Sequence, residues 1–388
     1  MERKFLLILG LAGFTVMADN WVVSPILPAI SDSFNVATIQ AGILITSYMI
    51  PFGLFQLVFG PLADRFGKRQ VINTVMFFFV VSTALCSVAN SLIDMAIYRA
   101  LAGVFAAAVM PISLALIGDL VPMDERQSAI GTFMGISFFG QGLSMAFGGT
   151  VAYLFSWRGV FVSYSVLALI SAVTLFYAGR AIPSTKNPNS KFVAPYLRLI
   201  SQWHSLKTYL IILFQGIFIV GTFSYLGAYI KETYNYNLMF IGLIMTGFGL
   251  FVLIGGRISG KLAARLGRRM VLTAGLTSAF SADLLLYLNG SNLIILIISV
   301  CLLGLGFMLA HSTLTTIATG FAPQARGAAM SIVAFCFMGG GGIGTAIGGQ
   351  YIQSVGFSQF FLTYCLGLLL LLTAAYILME QKKVTSPN

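Results

Sequence analysis

The stretch GPLADRFGKR at residues 60–69 returns as GKLAARLGRR at residues 260–269. Gly60, Leu62, Arg65 and Gly67 overlie Gly260, Leu262, Arg265 and Gly267 at an offset of 200 residues. The same offset places Gly148 and Gly149 on Gly348 and Gly349, Phe161 on Phe361, and Tyr164 on Tyr364. Agreement at one spacing over about 100 residues marks an internal duplication rather than a shared composition. Each copy lies between two long apolar runs, so each reads as a short charged loop joining two membrane spans.

The composition supports that reading. Of the 388 residues, 58% are hydrophobic and 9% charged, with a mean hydropathy of +0.93; an average soluble domain carries roughly 25% charge. So little charge cannot cover a water-facing surface, which excludes a soluble enzyme, a secreted domain and a disordered chain. The apolar runs are continuous rather than alternating, which excludes an outer-membrane barrel. Cys86, Cys301, Cys336 and Cys365 fall inside apolar runs without metal-ligand spacing and read as small core hydrophobes. The first apolar stretch lacks a cleavage site and is too long for a signal peptide, so it is expected to be the first span.

A crossing takes about 20 apolar residues. That ruler predicts twelve spans at 5–28, 39–60, 71–90, 95–119, 128–153, 159–179, 207–230, 237–259, 270–288, 292–320, 327–353 and 358–379. The expected fold is therefore an all-α membrane protein of two pseudo-symmetric six-helix bundles. Residues 1–179 form the first bundle and 207–388 the second, joined by a polar linker at 180–206 that contains Trp203 and His204. With the N-terminus in the cytoplasm, 18 of the 22 Lys and Arg fall on the cytoplasmic side. The far side keeps Arg158 and Lys231, while Arg99 and Arg257 lie within spans. This asymmetry predicts a multi-pass protein of the cell inner membrane with both termini cytoplasmic. The net charge of +11 then needs no nucleic-acid partner. Parallel repeats joined by a cytoplasmic linker describe a transporter rocking about a central site.

The loop at 60–69 resembles motif A of the major facilitator superfamily, roughly G-x-L-x-D-R-x-G-R-K, at Gly60, Leu62, Asp64, Arg65, Gly67, Lys68 and Arg69. RALAG at 99–103 resembles the family's motif B, and the resemblance extends over the whole chain in span count, repeat and loop placement. Within the superfamily the chain looks most like the twelve-helix drug:proton antiporters. One departure is GLSMAFGG at 142–149, which keeps Gly148 and Gly149 of motif C but has Ser144 and Met145 where Gly and Pro would stand. GTAIGG at 344–349 likewise lacks the Pro. The small-residue faces at Gly148, Gly149, Gly348 and Gly349 remain for close helix packing.

The resemblance implies that Asp64 meets the start of the eleventh span, where a helix N-terminus carries partial positive charge. It also implies that Arg65, Lys68 and Arg69 pair with carboxylates such as Asp119, latching the halves together on the cytoplasmic side. Ala264 replaces Asp64 in the repeat, so the latch is expected to be one-sided.

Charges inside the bilayer are costly and mark function. Asp19 lies about 21 Å along the first span at 1.5 Å per residue, followed by Trp21, Pro25 and Pro28. It is the candidate for proton and cationic-substrate binding; the alternative is a carboxylate among the outer headgroups. Arg99 matches the motif B arginine and would bias a nearby carboxylate, or else snorkel outward beside Asp94. His311, in the tenth span, is a further proton candidate or a core hydrogen-bonder. Asp283, in the peripheral ninth span, reads as a structural partner. Candidates for the substrate cavity are Asn20, Trp21, Tyr48, Gln56, Met110, Gln141, Gln215, Phe218, Tyr225, Phe335 and Met338.

No Walker A sequence is present, so neither ATP nor another cofactor is expected and the proton gradient is the energy source. With His204 and His311 the only histidines, no catalytic residues or metal site are expected, and a membrane enzyme or receptor is disfavoured. The expected function is a proton-coupled exporter of amphiphilic or cationic small molecules, with a proton symporter or facilitator for a sugar or organic metabolite as the rival. The expected partners are that substrate, protons and the lipid bilayer, around a monomer.

Overall fold

The computed structural model describes residues 2–178, 194–321 and 326–379, and every described element is helical. Most of the linker expected at 180–206, residues 180–193, and the end of the chain at 380–388 lie outside the described residues.

The first span is split into α1 (Glu2–Trp21) and α2 (Val23–Phe34), and α3 (Ile43–Phe66) and α4 (Lys68–Ser87) follow as spans two and three. Span four is split into α5 (Leu92–Ala106) and α6 (Val109–Leu120), and α7 (Met123–Leu154) and α8 (Trp157–Ala178) complete the first half. A short helix α9 (Ala194–Ile200) lies inside the expected linker. Span seven is α10 (Trp203–Gln215) continued through a π-helical turn at Gly216–Val220 into α11 (Gly221–Tyr234). Then come α12 (Leu238–Leu266), α13 (Arg268–Asn289), α14 (Leu293–Thr319) and α15 (Arg326–Leu378).

Among the described residues, eleven helical segments are long and apolar enough to cross a membrane, and the last runs for 52 residues, Gly327–Leu378. It breaks at Gly356, whose φ of 81° no L side chain adopts readily. The Tyr364 hydroxyl reaches back to donate to the Gly344 carbonyl, so the chain reverses at Gly356 and α15 supplies two spans. The crossings therefore number twelve, as the hydropathy predicts.

The duplication is written into the backbone. Asn35 (φ 53°) and Asn235 (φ 51°) end α2 and α11 in the left-handed conformation, and Gly67 (φ 99°) and Gly267 (φ 85°) turn the two copies of the charged loop. Tyr164 donates to the Ser144 carbonyl as Tyr364 does to Gly344. Ser91, Asn237 and Asn292 cap α5, α12 and α14 by accepting from backbone N–H groups of the first turn.

Large apolar side chains remain on the outside, among them Ile93, Phe155, Leu370 and Ile377, the most exposed being Phe155 at 79%. Such a surface is stable only against lipid. First-half and second-half helices meet chiefly where α7 packs on α12 and α3 on α15. Glycines make both approaches possible. A methyl on Gly149 would lie 2.4 Å from the Leu238 carbonyl, and one on Gly53 would lie 3.1 Å from the Phe335 carbonyl.

Candidate functional site

Asp19 sits in the last turn of α1, before the break at Val22, and Arg99 lies in the second turn of α5. They form an ion pair: Arg99 Nη1 donates to Asp19 Oδ2 at 2.9 Å and to the Asp19 carbonyl at 3.3 Å. Both residues are fully buried. The guanidinium lies 4.1 Å from the ring centre of Tyr48, and Phe161 stands on its other side at 5.9 Å. Asp19 Oδ1, Arg99 Nε and Arg99 Nη2 have no hydrogen-bond partner among the described residues. The sequence marked these two charges separately; the fold joins them, while Asp94 lies in the first turn of α5, where its backbone N–H donates to the capping Ser91 hydroxyl.

A cavity of about 110 Å³ lies between the two halves, on the side of the membrane that carries the N-terminus. Its wall is built from helical stripes: Met17 with Trp21, Phe52 with Gln56, Met134 with Phe138 and Gln141, and Phe307 with His311. Residues three and four apart share a helix face. The same rule explains why Asp19 is absent from the wall. It lies two residues from both Met17 and Trp21, about 200° around the helix, so it points back among α3, α5 and α8. The acid expected to hold a cationic substrate is thus turned away from the cavity, and among the described residues no Asp, Glu, Lys or Arg lines it.

Of the cavity candidates, Trp21, Gln56, Met110, Gln141 and Met338 line this cavity, and so does the proton candidate His311. The other candidates lie elsewhere. Tyr48 stacks on Arg99. Asn20 reaches Met338 Sδ at 3.9 Å, just behind the wall. Gln215 donates to the Phe307 carbonyl. Phe218 packs on Tyr364 within the second half, and the Tyr225 hydroxyl donates to the Thr345 carbonyl. Phe335 presents its backbone to Gly53 rather than its ring to the cavity. The residues missed, such as Phe52, Met134, Phe138 and Phe307, all stand one or two turns from a polar residue that was named. Helical spacing from each polar anchor was the available signal.

Above the cavity the molecule is shut. Trp21 packs on Phe223 at 4.9 Å and Phe248 at 5.5 Å between ring centres, and Phe248 stacks on Phe307. Beyond this roof, Ser24 donates to the carbonyls of Phe223 and Ser224, both at 2.9 Å, and Thr46 donates to the Gly342 carbonyl. Gly148 meets Val22, Gly348 meets Phe360 and Tyr364, and Gly349 meets the Tyr225 hydroxyl, each too closely for a side chain.

On the face carrying the N-terminus, Lys68 binds Asp119 at 2.6 Å and leans on Asp64 at 3.8 Å. All three belong to the first half, so the Lys68–Asp119 pair that the resemblance implies ties together the ends of spans two to four. Arg65 lies near the ring of Phe66, its own neighbour. The expected contact of Asp64 with the start of the eleventh span falls partly on residues 322–325, outside the described residues. What bridges this face is α9, whose Tyr196 hydroxyl donates to the Leu57 carbonyl; Gly60 faces both Tyr196 and Ser331. The repeat places Arg269 over the ring of Tyr376, whose carbonyl accepts from Nη2.

Asp283 is fully buried in α13 and accepts from the Thr222 hydroxyl at 3.1 Å. Among the described residues no group of three or more His, Cys, Asp or Glu is placed to hold a metal ion.

The sequence profile of the Major Facilitator Superfamily matches residues 9–323 and 209–388. The MFS-type transporter YceJ of Bacillus subtilis (strain 168), itself described as uncharacterized, is 30% identical over 358 residues, 88% of this chain and 87% of its own. The multidrug resistance protein fnx1 of Schizosaccharomyces pombe is 27% identical over 48% of this chain and 35% of its own. Among solved structures, a bacterial homologue of the human lysosomal transporter Spinster, inward-facing and unoccupied, superposes with a TM-score of 0.78. It covers 97% of this chain and 96% of its own at 16% identity. Twelve spans, a duplicated charged loop, a central cavity between the halves and these matches lead to one conclusion: the chain is a membrane transporter that belongs to the Major Facilitator Superfamily.

Proposed function

We propose that this transporter is a proton-coupled exporter of amphiphilic small molecules, working by alternating access with its termini in the cytoplasm. The observation that carries the reading is the Asp19–Arg99 pair, a carboxylate and a guanidinium 2.9 Å apart and fully buried beside the break in the first span.

Removing one partner of a buried ion pair costs about 3–5 kcal/mol, because the other charge is left stranded. A proton arriving at Asp19 removes its charge and strands Arg99, with three of the pair's polar atoms already lacking partners. The lowest-cost response is a shift of α1 against α5, and the segment that moves begins where Trp21 roofs the cavity. Protonation thereby loosens the roof, and proton release restores the closed arrangement. One charge moving through 100 mV supplies about 2.3 kcal/mol, comparable with the cost of stranding the arginine. The positive-inside asymmetry supports cytoplasmic termini, so the cavity faces the cytoplasm and the sealed side faces out. The apolar, Met- and Phe-rich wall suits amphiphilic compounds, and the similarity to a multidrug resistance protein supports export.

The test is flux in proteoliposomes under an imposed pH gradient. Wild-type protein is expected to move protons when substrate is supplied, and Asp19→Asn is expected to lose that coupling while still equilibrating substrate. Undiminished substrate-driven proton flux in Asp19→Asn would sink the assignment.

A further inference from the structure

The cavity wall carries an unusual set of polar atoms. Gln141 is fully buried, and neither its Oε1 nor its Nε2 has a hydrogen-bond partner among the described residues. The same is true of Trp21 Nε1 and His311 Nδ1. Buried polar atoms are nearly always paired, so each orphan calls for an explanation. Here the four atoms belong to three residues around one cavity, which points to a ligand that supplies the missing partners.

The remaining surface says what the rest of that ligand is. His311 packs beside the rings of Phe307 and Phe337, with centroids at 5.3 and 4.5 Å, and Phe307 and Phe337 stack on each other 20° from parallel at 5.1 Å. A flat ring fits beside such faces in the offset or edge-on geometry aromatic pairs prefer. The wall offers no counter-charge. Among the described residues no Asp, Glu, Lys or Arg lines it, because Asp19 is turned inward and held by Arg99. An ion entering would lose its water without gaining a counter-charge, a far larger penalty than that of burying an amide whose hydrogen bonds are met.

We propose that the cavity selects uncharged, planar aromatic compounds bearing a neutral donor–acceptor group such as a carboxamide, with Gln141 and His311 as the specificity-determining residues. The proposal rests on the cavity's being the substrate site. It narrows the substrate class and assigns Asp19 to the proton alone, not to a cationic substrate.

Three probes share one ring and differ only in charge: 2-naphthamide, 2-naphthoate and 2-naphthyltrimethylammonium. Their binding to the full chain in detergent is measured by calorimetry at equilibrium, with no gradient. The amide is expected to bind about tenfold or more tightly than either ion, and Gln141→Leu and His311→Phe are each expected to weaken it about fivefold, the worth of one hydrogen bond. Each variant is checked for an unchanged melting temperature. The wild-type ranking tests the proposal even if a variant does not fold. Equal or tighter binding of either ion, amide binding indifferent to both folded variants, or no binding of any probe overturns it. Because no gradient is present, a failure of proton coupling in the flux experiment leaves this result standing. An inverted ranking with intact coupling overturns this inference alone.

Discussion

Gly142 in α7 and Gly249 in α12 meet backbone to backbone, so that a methyl on Gly249 would lie 2.1 Å from the Gly142 Cα. The approach is asymmetric: a methyl on Gly142 meets nothing nearer than 3.3 Å. This contact is one of the places where the halves close above the cavity, and at Gly249 nothing but glycine permits it.

Gly249→Ala is therefore expected to hold α7 and α12 apart and leave the sealed side ajar, while Gly142→Ala is tolerated with small adjustments. Thr46→Cys, placed in the seal in a background with all four native cysteines replaced by serine, reports the difference. A membrane-impermeant maleimide should label it faster in Gly249→Ala than in Gly142→Ala. Equal labelling of the two variants would refute the role given to this contact.

The Asp19–Arg99 pair makes a prediction about stability that is independent of transport. Arg99→Met strands a buried carboxylate and is expected to destabilise the protein by about 3–5 kcal/mol. Adding Asp19→Asn removes the stranded charge and should recover a large part of that loss. Thermal melting in detergent of the two singles and the double variant measures the coupling. Strictly additive losses would show that the two side chains do not act as a pair.

Much of this was legible in the sequence, and the misses have physical causes. Spans are readable because lipid forces every backbone group into a helix, which leaves hydropathy as a direct record of topology. The repeat was readable because Gly67 and Gly267 need the same positive φ, and such positions resist substitution. Asp19 and Arg99 stood out singly, since charge in a span is costly. Their pairing did not, because it depends on how α1 and α5 are rotated against each other. Phe218 and Tyr225 were misplaced for the same reason: an aromatic residue at mid-span packs equally well into its own half. The pairing of Lys68 with Asp119 follows from the family resemblance, and both partners belong to the first half.

That relationship is testable. The Lys68–Asp119 pair has one well-exposed partner, the Asp119 side chain at 45% exposure, and exposed pairs contribute about 0.2–1 kcal/mol. Lys68→Ala should change the melting temperature little and leave maleimide labelling of Thr46→Cys unchanged, since no contact between halves is lost. The exchanged pair Lys68→Asp with Asp119→Lys should behave like the wild type. A marked shift in labelling on Lys68→Ala would restore the latch.

The last prediction separates the two buried acids. Asp283 accepts from Thr222 at 3.1 Å, and no cation pairs with it among the described residues. Its contact joins α11 to α13 through an oxygen that an asparagine side chain also offers. Asp283→Asn is therefore expected to keep the fold and the substrate-driven proton flux. Asp283→Leu leaves the Thr222 hydroxyl unpaired in the core, a loss of about 1–3 kcal/mol, visible as a lower melting temperature. Asp19→Asn, by contrast, strands Arg99 and should both melt lower and lose coupling. If Asp283→Asn folds normally but abolishes proton flux, the second acid carries the proton as well, and the coupling site extends across both halves.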